Sequence, residues 1–218
     1  MSNLIRNGAI VADDWQLVNL PAPAEDTVRK QAGKVVVFKL TGEAAATPQQ
    51  IADTVIPASG KVLVPLVVWL ARKDELAPRL AQGELGVWMH THELLETLTQ
   101  NFADINTLPV IGVRFERCVD GRGNSIATLL RTRHGYQNEL RAVGDVLRDQ
   151  LYFLKRCGFD AYSIRSDRDA EDALASLRDF SEPYQGAVDN PLPVWRRHVR
   201  HAPAKHGTST APAMDDAD

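Results

Sequence analysis

The run Arg117 to Ser125, RCVDGRGNS, contains the strongest local feature of the chain, the loop Asp120-Gly121-Arg122-Gly123-Asn124-Ser125. Gly121 and Gly123 flank Arg122, so backbone N–H groups there are free to turn toward one point. Ser125 or Asn124 is placed to cap a following helix, whose N-terminus carries partial positive charge. Arg122 adds a planar donor fork suited to sulfate, sulfite, phosphate or carboxylate. The same residues also make a tight turn in which Asp120 and Arg122 pair with each other or with neighbours. Both readings are open at this point. The run is not a P-loop, which needs Lys-Ser/Thr after the second glycine, nor does its spacing match the dinucleotide fingerprint.

A second group surrounds Gly144-Asp145-Val146, where a strand gives way to a helix. In an extended strand Arg141, Val143 and Asp145 share one face. An Arg and an Asp on one face of an internal strand need partners. Asp145 is read as a general base, an Arg partner or a helix cap. Asp120 and Asp145 are therefore the candidate catalytic carboxylates. Gly121, Arg122, Gly123, Ser125 and Arg141 are the candidate ligands of a small anion.

Other side chains carry less. His90 and His92 lie two apart, but a metal site needs a third ligand and usually a fourth, and no nearby Cys or His supplies one. They are read as surface histidines, and no metal is expected. Cys118 and Cys157 are the only cysteines and do not form a C-x-x-C pair. Two thiols cannot hold a four-Cys iron–sulfur cluster or a Cys₄ zinc site. Cys157, three residues after Leu154 and just before Gly158, reads as packing at a helix end. There is no G-x-S-x-G nucleophile elbow.

The elements that must position these residues follow from periodicity. Asn7-Gly8 between Leu4-Ile5 and Ile10-Val11 is a hairpin signal. Lys34 to Leu40, KVVVFKL, is strand-like. Thr47 caps a helix start before Pro48. Leu66, Trp69, Leu70, Leu76 and Leu80 recur at helical spacing, and Gly83 closes that helix. Beyond it, strands at Leu85–Met89, Val110–Phe115, Leu140–Val146 and Ala161–Ile164 alternate with helices at about Glu93–Phe102, Ser125–Arg133, Leu147–Cys157 and Ala170–Leu177. That alternation predicts an α/β fold of parallel βα repeats, with the N-terminal β-hairpin added. Four such units fall short of a full barrel. The expectation is a half TIM-barrel-like sheet or an open doubly wound one. In either case the ligand belongs at the carboxyl ends of the strands. The expected organisation is a strand region over 1–40, an α/β domain over 41–198 and a disordered tail over 199–218.

The 218 residues carry a formal charge of −3 and are 44% hydrophobic, which suits a globular core and argues against nonspecific nucleic-acid binding. The start, MSNLIRNGAIVADD, breaks its apolar stretch at Arg6-Asn7-Gly8 and lacks a signal-peptide core. No apolar run approaches the roughly 20 residues of a membrane span. A cytoplasmic protein is expected.

From Phe115 to Ile164 the chain resembles a bacterial domain-of-unknown-function family whose members are described as oxidoreductases of sulfite reduction. The matching pieces are Asp120-Gly121-Arg122-Gly123 with Ser125, Leu129-Leu130-Arg131, Gly135-Tyr136 and Glu139-Leu140-Arg141-Ala142. They continue through Gly144-Asp145-Val146-Leu147, Asp149-Gln150-Leu151 and Arg156-Cys157-Gly158-Phe159-Asp160. Phe180-Ser181, Tyr184-Gln185 and Val194 fit downstream, and Pro65-Leu66, Trp69-Leu70 and Gly86-Val87 upstream. Cys118 stands where that family carries a bulky apolar or aromatic residue, which weakens any role for it as a thiol catalyst. The resemblance implies a place in assimilatory sulfate reduction beside sulfite reductase, but no cofactor, reaction or catalytic set. Three readings follow: an accessory protein or oxidoreductase of sulfite reduction, a small βα-type enzyme or binding module for an oxyanion or phosphorylated metabolite, and a ligand-free scaffold.

Overall fold

The computed structural model describes residues 3–22 and 46–197. The expected strand Lys34 to Leu40 and the tail beyond Val199 lie outside the described residues.

Leu4–Arg6 (β1) and Ala9–Val11 (β2) form the hairpin. Asn7 and Gly8 turn it with φ of 50° and 77°, the left-handed pair that a type I′ turn demands. Trp15–Leu17 (β3) follows after Ala12–Asp14. Pro48–Ala52 (α1) starts at a capping box in which Thr47 Oγ1 accepts from the Gln50 N–H and the Gln50 side chain accepts from the Thr47 N–H. Lys61–Pro65 (β4) has no counterpart in the sequence reading. Its apolar residues run straight into a helix, so no alternation marks it as a strand. The single helix expected next is two, Leu66–Ala71 (α2) and Lys73–Ala81 (α3), broken at Arg72.

The remaining elements follow the expected order, with a short final helix that has no counterpart in the sequence reading. They are Leu85–His90 (β5), Leu95–Thr99 (α4), Val110–Phe115 (β6), Arg122–Thr132 (α5), Glu139–Gly144 (β7), Arg148–Cys157 (α6), Ala161–Ser163 (β8), Ala170–Ser176 (α7) and Val194–Arg197 (α8). Gly158, at φ 108°, ends α6 in the left-handed conformation.

The eight strands form one sheet in the order β2-β1-β8-β7-β6-β5-β4-β3. From β3 to β8 each strand lies parallel beside its successor, while β1 runs antiparallel to β8 and to β2. A doubly wound sheet requires the order to reverse at a switch point. Here it does not. Crossovers of one hand, always moving the same way, put the helices on one face and curl the sheet as in a barrel. The fold is thus an α/β half-barrel with an antiparallel N-terminal pair.

The curl is tight. Seven interstrand steps of about 4.8 Å would separate the edges of a flat sheet by about 34 Å. Yet β2 ends at Val11 and β3 begins at Trp15, a link that spans about 14 Å at most. The two edge strands are therefore drawn toward each other.

Side chains alternate accordingly. Val87, Met89, Ile111, Val113, Leu140 and Ala142 face the helices in the main core. Trp15, Leu63, Trp88 and Val110 form a second cluster inside the curl. Gly112 makes room there, since a Cβ on it would stand 2.8 Å from Cβ of Trp88. Trp88 completes its burial by donating its indole N–H to the Val18 carbonyl at 2.8 Å.

Candidate functional site

The βα loops meet at the carboxyl ends of the strands. The loop between β6 and α5 starts α5 at Arg122, three residues before the expected Ser125. Asp120 explains the early start. Its Oδ1 accepts from the Arg122 backbone N–H at 3.1 Å, and its carboxylate holds the Arg122 fork through Nε at 2.9 Å and Nη2 at 2.6 Å. Thr91, buried after β5, donates its hydroxyl to the Asp120 Oδ2 at 2.5 Å. The Arg122 guanidinium, ahead of the other contacts, holds the Asp120 carboxyl far below the usual carboxylate range. A carboxylate of the chain itself therefore stands at the N-terminus of α5, where negative charge is favoured.

The two glycines act differently from the sequence premise. Neither takes a positive φ, and Gly121 has an ordinary helical φ of −71°. Gly123 is needed for space: a Cβ there would lie 2.5 Å from the Phe115 ring, so the first turn of α5 packs directly on β6. Asn124 and Ser125 lie inside α5 rather than at its cap, with Ser125 exposed.

Asp145 follows β7. Gly144 before it has φ of 94°, and a side chain there would fall against the Phe115 carbonyl oxygen. That conformation lets the Asp145 N–H donate to Phe115 O at 2.8 Å. The Asp145 Oδ2 then accepts the Cys118 backbone N–H at 2.9 Å, and its Oδ1 accepts from Arg165 Nη1 at 2.8 Å. Arg165 also forks onto Asp167, with both bonds at 2.7 Å. The Arg165 guanidinium first, and the Cys118 N–H second, lower the Asp145 carboxyl below its ordinary value. Of the three roles open to Asp145, its contacts are those of an Arg partner; the cap position of α6 belongs to Leu147. Gln150, in the first turn of α6, donates to the Cys118 carbonyl. Cys118 is thus held from both sides, and two successive loops are stitched together.

Ion pairing leaves both candidate carboxylates strong acceptors and weak bases. A proton abstracted near neutral pH favours a base with a pKa closer to 7. Their contacts are those of groups that hold a loop in shape.

Arg141 points elsewhere. It lies inside the curl, 2% exposed, with Nη1 2.9 Å from both Asp13 oxygens and Nε 2.6 Å from Glu139 Oε1. The structure brings Asp120, Gly121, Arg122 and Gly123 together in one turn and sets Asp145 against the Cys118 backbone earlier in the same loop. It gives Arg141 to Asp13 and Glu139.

Contacts not anticipated from sequence line the inner lip. Arg114 donates to Glu116 at 2.8 Å and to Asn19 at 2.5 Å, with its guanidinium 5.2 Å from the Trp88 ring centre. His90 Nδ1 lies 3.1 Å from the same Glu116 oxygen, and the His90 and His92 rings stack at 5.0 Å. The Glu93 carboxyl accepts the His90 N–H at 2.6 Å, and burial pushes its pKa up. Among the described residues no three His, Cys, Asp or Glu side chains gather as metal ligands, and no helix is long and apolar enough to cross a membrane. Arg117 is exposed beside Cys118 and, among the described residues, has no ion-pair or hydrogen-bond partner for its side chain. Only its place in a glycine-bearing loop after a strand signalled it.

Residues 86–195 match a family model described as bacterial protein of unknown function (DUF934). No curated protein and no solved structure matches the chain.

Proposed function

The chain belongs to this family of bacterial proteins of unknown function, so membership brings no activity with it, and we propose that it is an accessory protein of assimilatory sulfite reduction. In this reading it works with sulfite reductase and holds a sulfur oxyanion at the loop between β6 and α5. The resemblance of Phe115 to Ile164 supplies the pathway. The observation that carries the site is Arg117: a cation without an ion-pair partner among the described residues, beside a backbone pinned by Asp145 and Gln150. An oxyanion there meets Arg117 directly and competes with Asp120 for the Arg122 fork. The exposed Val119, at 83%, lies at the same loop tip and offers an apolar contact for a partner. With two cysteines in the sequence, the redox centre of sulfite reduction belongs to the reductase in this scheme.

The ligand-free scaffold is the second reading, favoured by the closed Asp120–Arg122 fork. Growth and capture separate the two. A deletion strain is expected to grow poorly on sulfate or sulfite as sole sulfur source and normally on cysteine. Sulfite reductase is expected to be retained on the immobilised protein and released by Arg117→Glu. Normal growth on sulfate, in a strain without a second copy, would falsify the role.

A further inference from the structure

The opposite end of the half-barrel holds a cavity of about 280 Å³. It lies where β8 begins, under the Asn7-Gly8 turn and between the C-terminal ends of α6 and α7. Phe159, Tyr162, Leu174 and Leu177 make its apolar wall, and Lys155 and Arg178 stand at its rim. Its size is near the lower limit of small-molecule sites, about 300 Å³.

We propose that this cavity binds a small monocarboxylate, with the apolar body against Leu174, the partly exposed part of the wall, and the carboxylate between Lys155 and Arg178. The charge count points to one negative charge. Lys155 and Arg178 have no ion-pair or side-chain hydrogen-bond partner among the described residues. The ends of α6 and α7 each contribute about half a negative charge, so about one unit of positive charge is left over. Asp160 also lines the cavity, but its carboxylate is committed to Arg131 Nη2 at 2.7 Å and to the Leu140 N–H at 2.8 Å. A dianion would meet that carboxylate with more repulsion than the two cations offset. The Tyr162 hydroxyl is likewise committed, donating to the Phe159 carbonyl at 2.8 Å, so the wall presents its ring. Apolar walls with a few convergent polar groups are the usual make-up of a small-ligand pocket.

Calorimetry on the full chain with hexanoate and benzoate tests this, beside hexanol, inorganic phosphate and phenyl phosphate. Saturable binding of both carboxylates is expected, with weaker binding of the other three. Lys155→Ala and Arg178→Ala should each weaken hexanoate about tenfold. Both side chains are exposed, so folding is preserved. Leu174→Phe, which fills the cavity, should abolish binding while the thermal midpoint is kept. The idea is overturned if neither carboxylate binds at about 10 mM, or if hexanol binds as well as hexanoate. It is equally overturned if the two cation variants bind as the wild type does. Lower stability in those variants without any ligand binding would reduce the cations to complements of the helix ends. None of these outcomes depends on the loops at the other end of the strands.

Discussion

Arg141 on β7 and Asp13 in the link between β2 and β3 meet across the inside of the curled sheet, with Nη1 2.9 Å from Oδ2. One guanidinium on a middle strand thereby ties down the short segment that joins the two edges. Glu139, two residues earlier on the same face, takes the other side of the guanidinium at 2.6 Å. Buried charge is costly unless paired, and Arg141, the most buried of the three, is the group both carboxylates depend on.

Removing the cation should therefore cost more than removing the more exposed partner. Arg141→Ala is expected to lower unfolding stability by about 3 kcal/mol, because Asp13 loses its counter-charge and the partly buried Glu139 keeps only the longer contact to Arg6 at 3.4 Å. Asp13→Ala should cost about 1 kcal/mol, since Glu139 still pairs with the guanidinium and Asp13 faces solvent. Urea denaturation of both variants measures the difference, and equal midpoints would show that the link is not held by this pair.

At the loop between β6 and α5, Arg122→Ala should weaken sulfite or sulfate binding about tenfold if the oxyanion takes the fork. Arg122→Lys should recover part of it, because an ammonium keeps the charge but loses the planar fork. Calorimetry on the three proteins decides. If no anion binds the wild type at millimolar concentration and Arg122→Ala only lowers the melting temperature, the loop is a structural turn.

Acid should weaken the same loop. The folded state holds the Asp120 and Asp145 carboxyls below their unfolded values, through Arg122 and Arg165 respectively. Their contribution is complete above the unfolded value, about pH 3.9, and is lost as pH falls from there through the folded values. Asp120→Asn is expected to be less stable than wild type at pH 7, with a gap that narrows below about pH 4. Melting temperatures of both proteins from neutral to acid pH give the curve; a constant gap would mean the carboxylate charge is irrelevant.

The glycines of the rim should respond unequally. Gly144→Ala must place a side chain at φ 94° and against the Phe115 carbonyl, and should cost about 2 kcal/mol or more. Gly121→Ala has a φ of −71° and open space around its Cβ, and should change stability by about 1 kcal/mol or less. Thermal denaturation distinguishes them. Loss of anion binding in Gly121→Ala, without loss of stability, would instead mean that a ligand packs on that backbone.

Local signals made much of this architecture legible. The Asn7-Gly8 turn, the Thr47 cap, Gly158 and the βα alternation after Leu85 are all decided by neighbours in sequence. Steric limits on φ and the periods of helix and strand act over a few residues. β3 has no turn signal or βα alternation to mark it, and β4, KVLVP, merges into the next helix, so neither carries a local signature. The composition of the Asp120–Arg122 turn was also readable, together with the alternative that its two charges pair.

Which charge meets which was decided only by the tertiary structure. Asp13 lies 128 residues from Arg141, and Asp145 takes its partners from two other loops. A strict alternation carried on from β7 would put Asp145 on the Arg141 face; the turn at Gly144 instead delivers it to the backbone of Cys118. A charged side chain pairs with whatever opposite charge the strand order and the curl bring within reach. That adjacency arises from packing the whole sheet under its helices, and no local spacing encodes it.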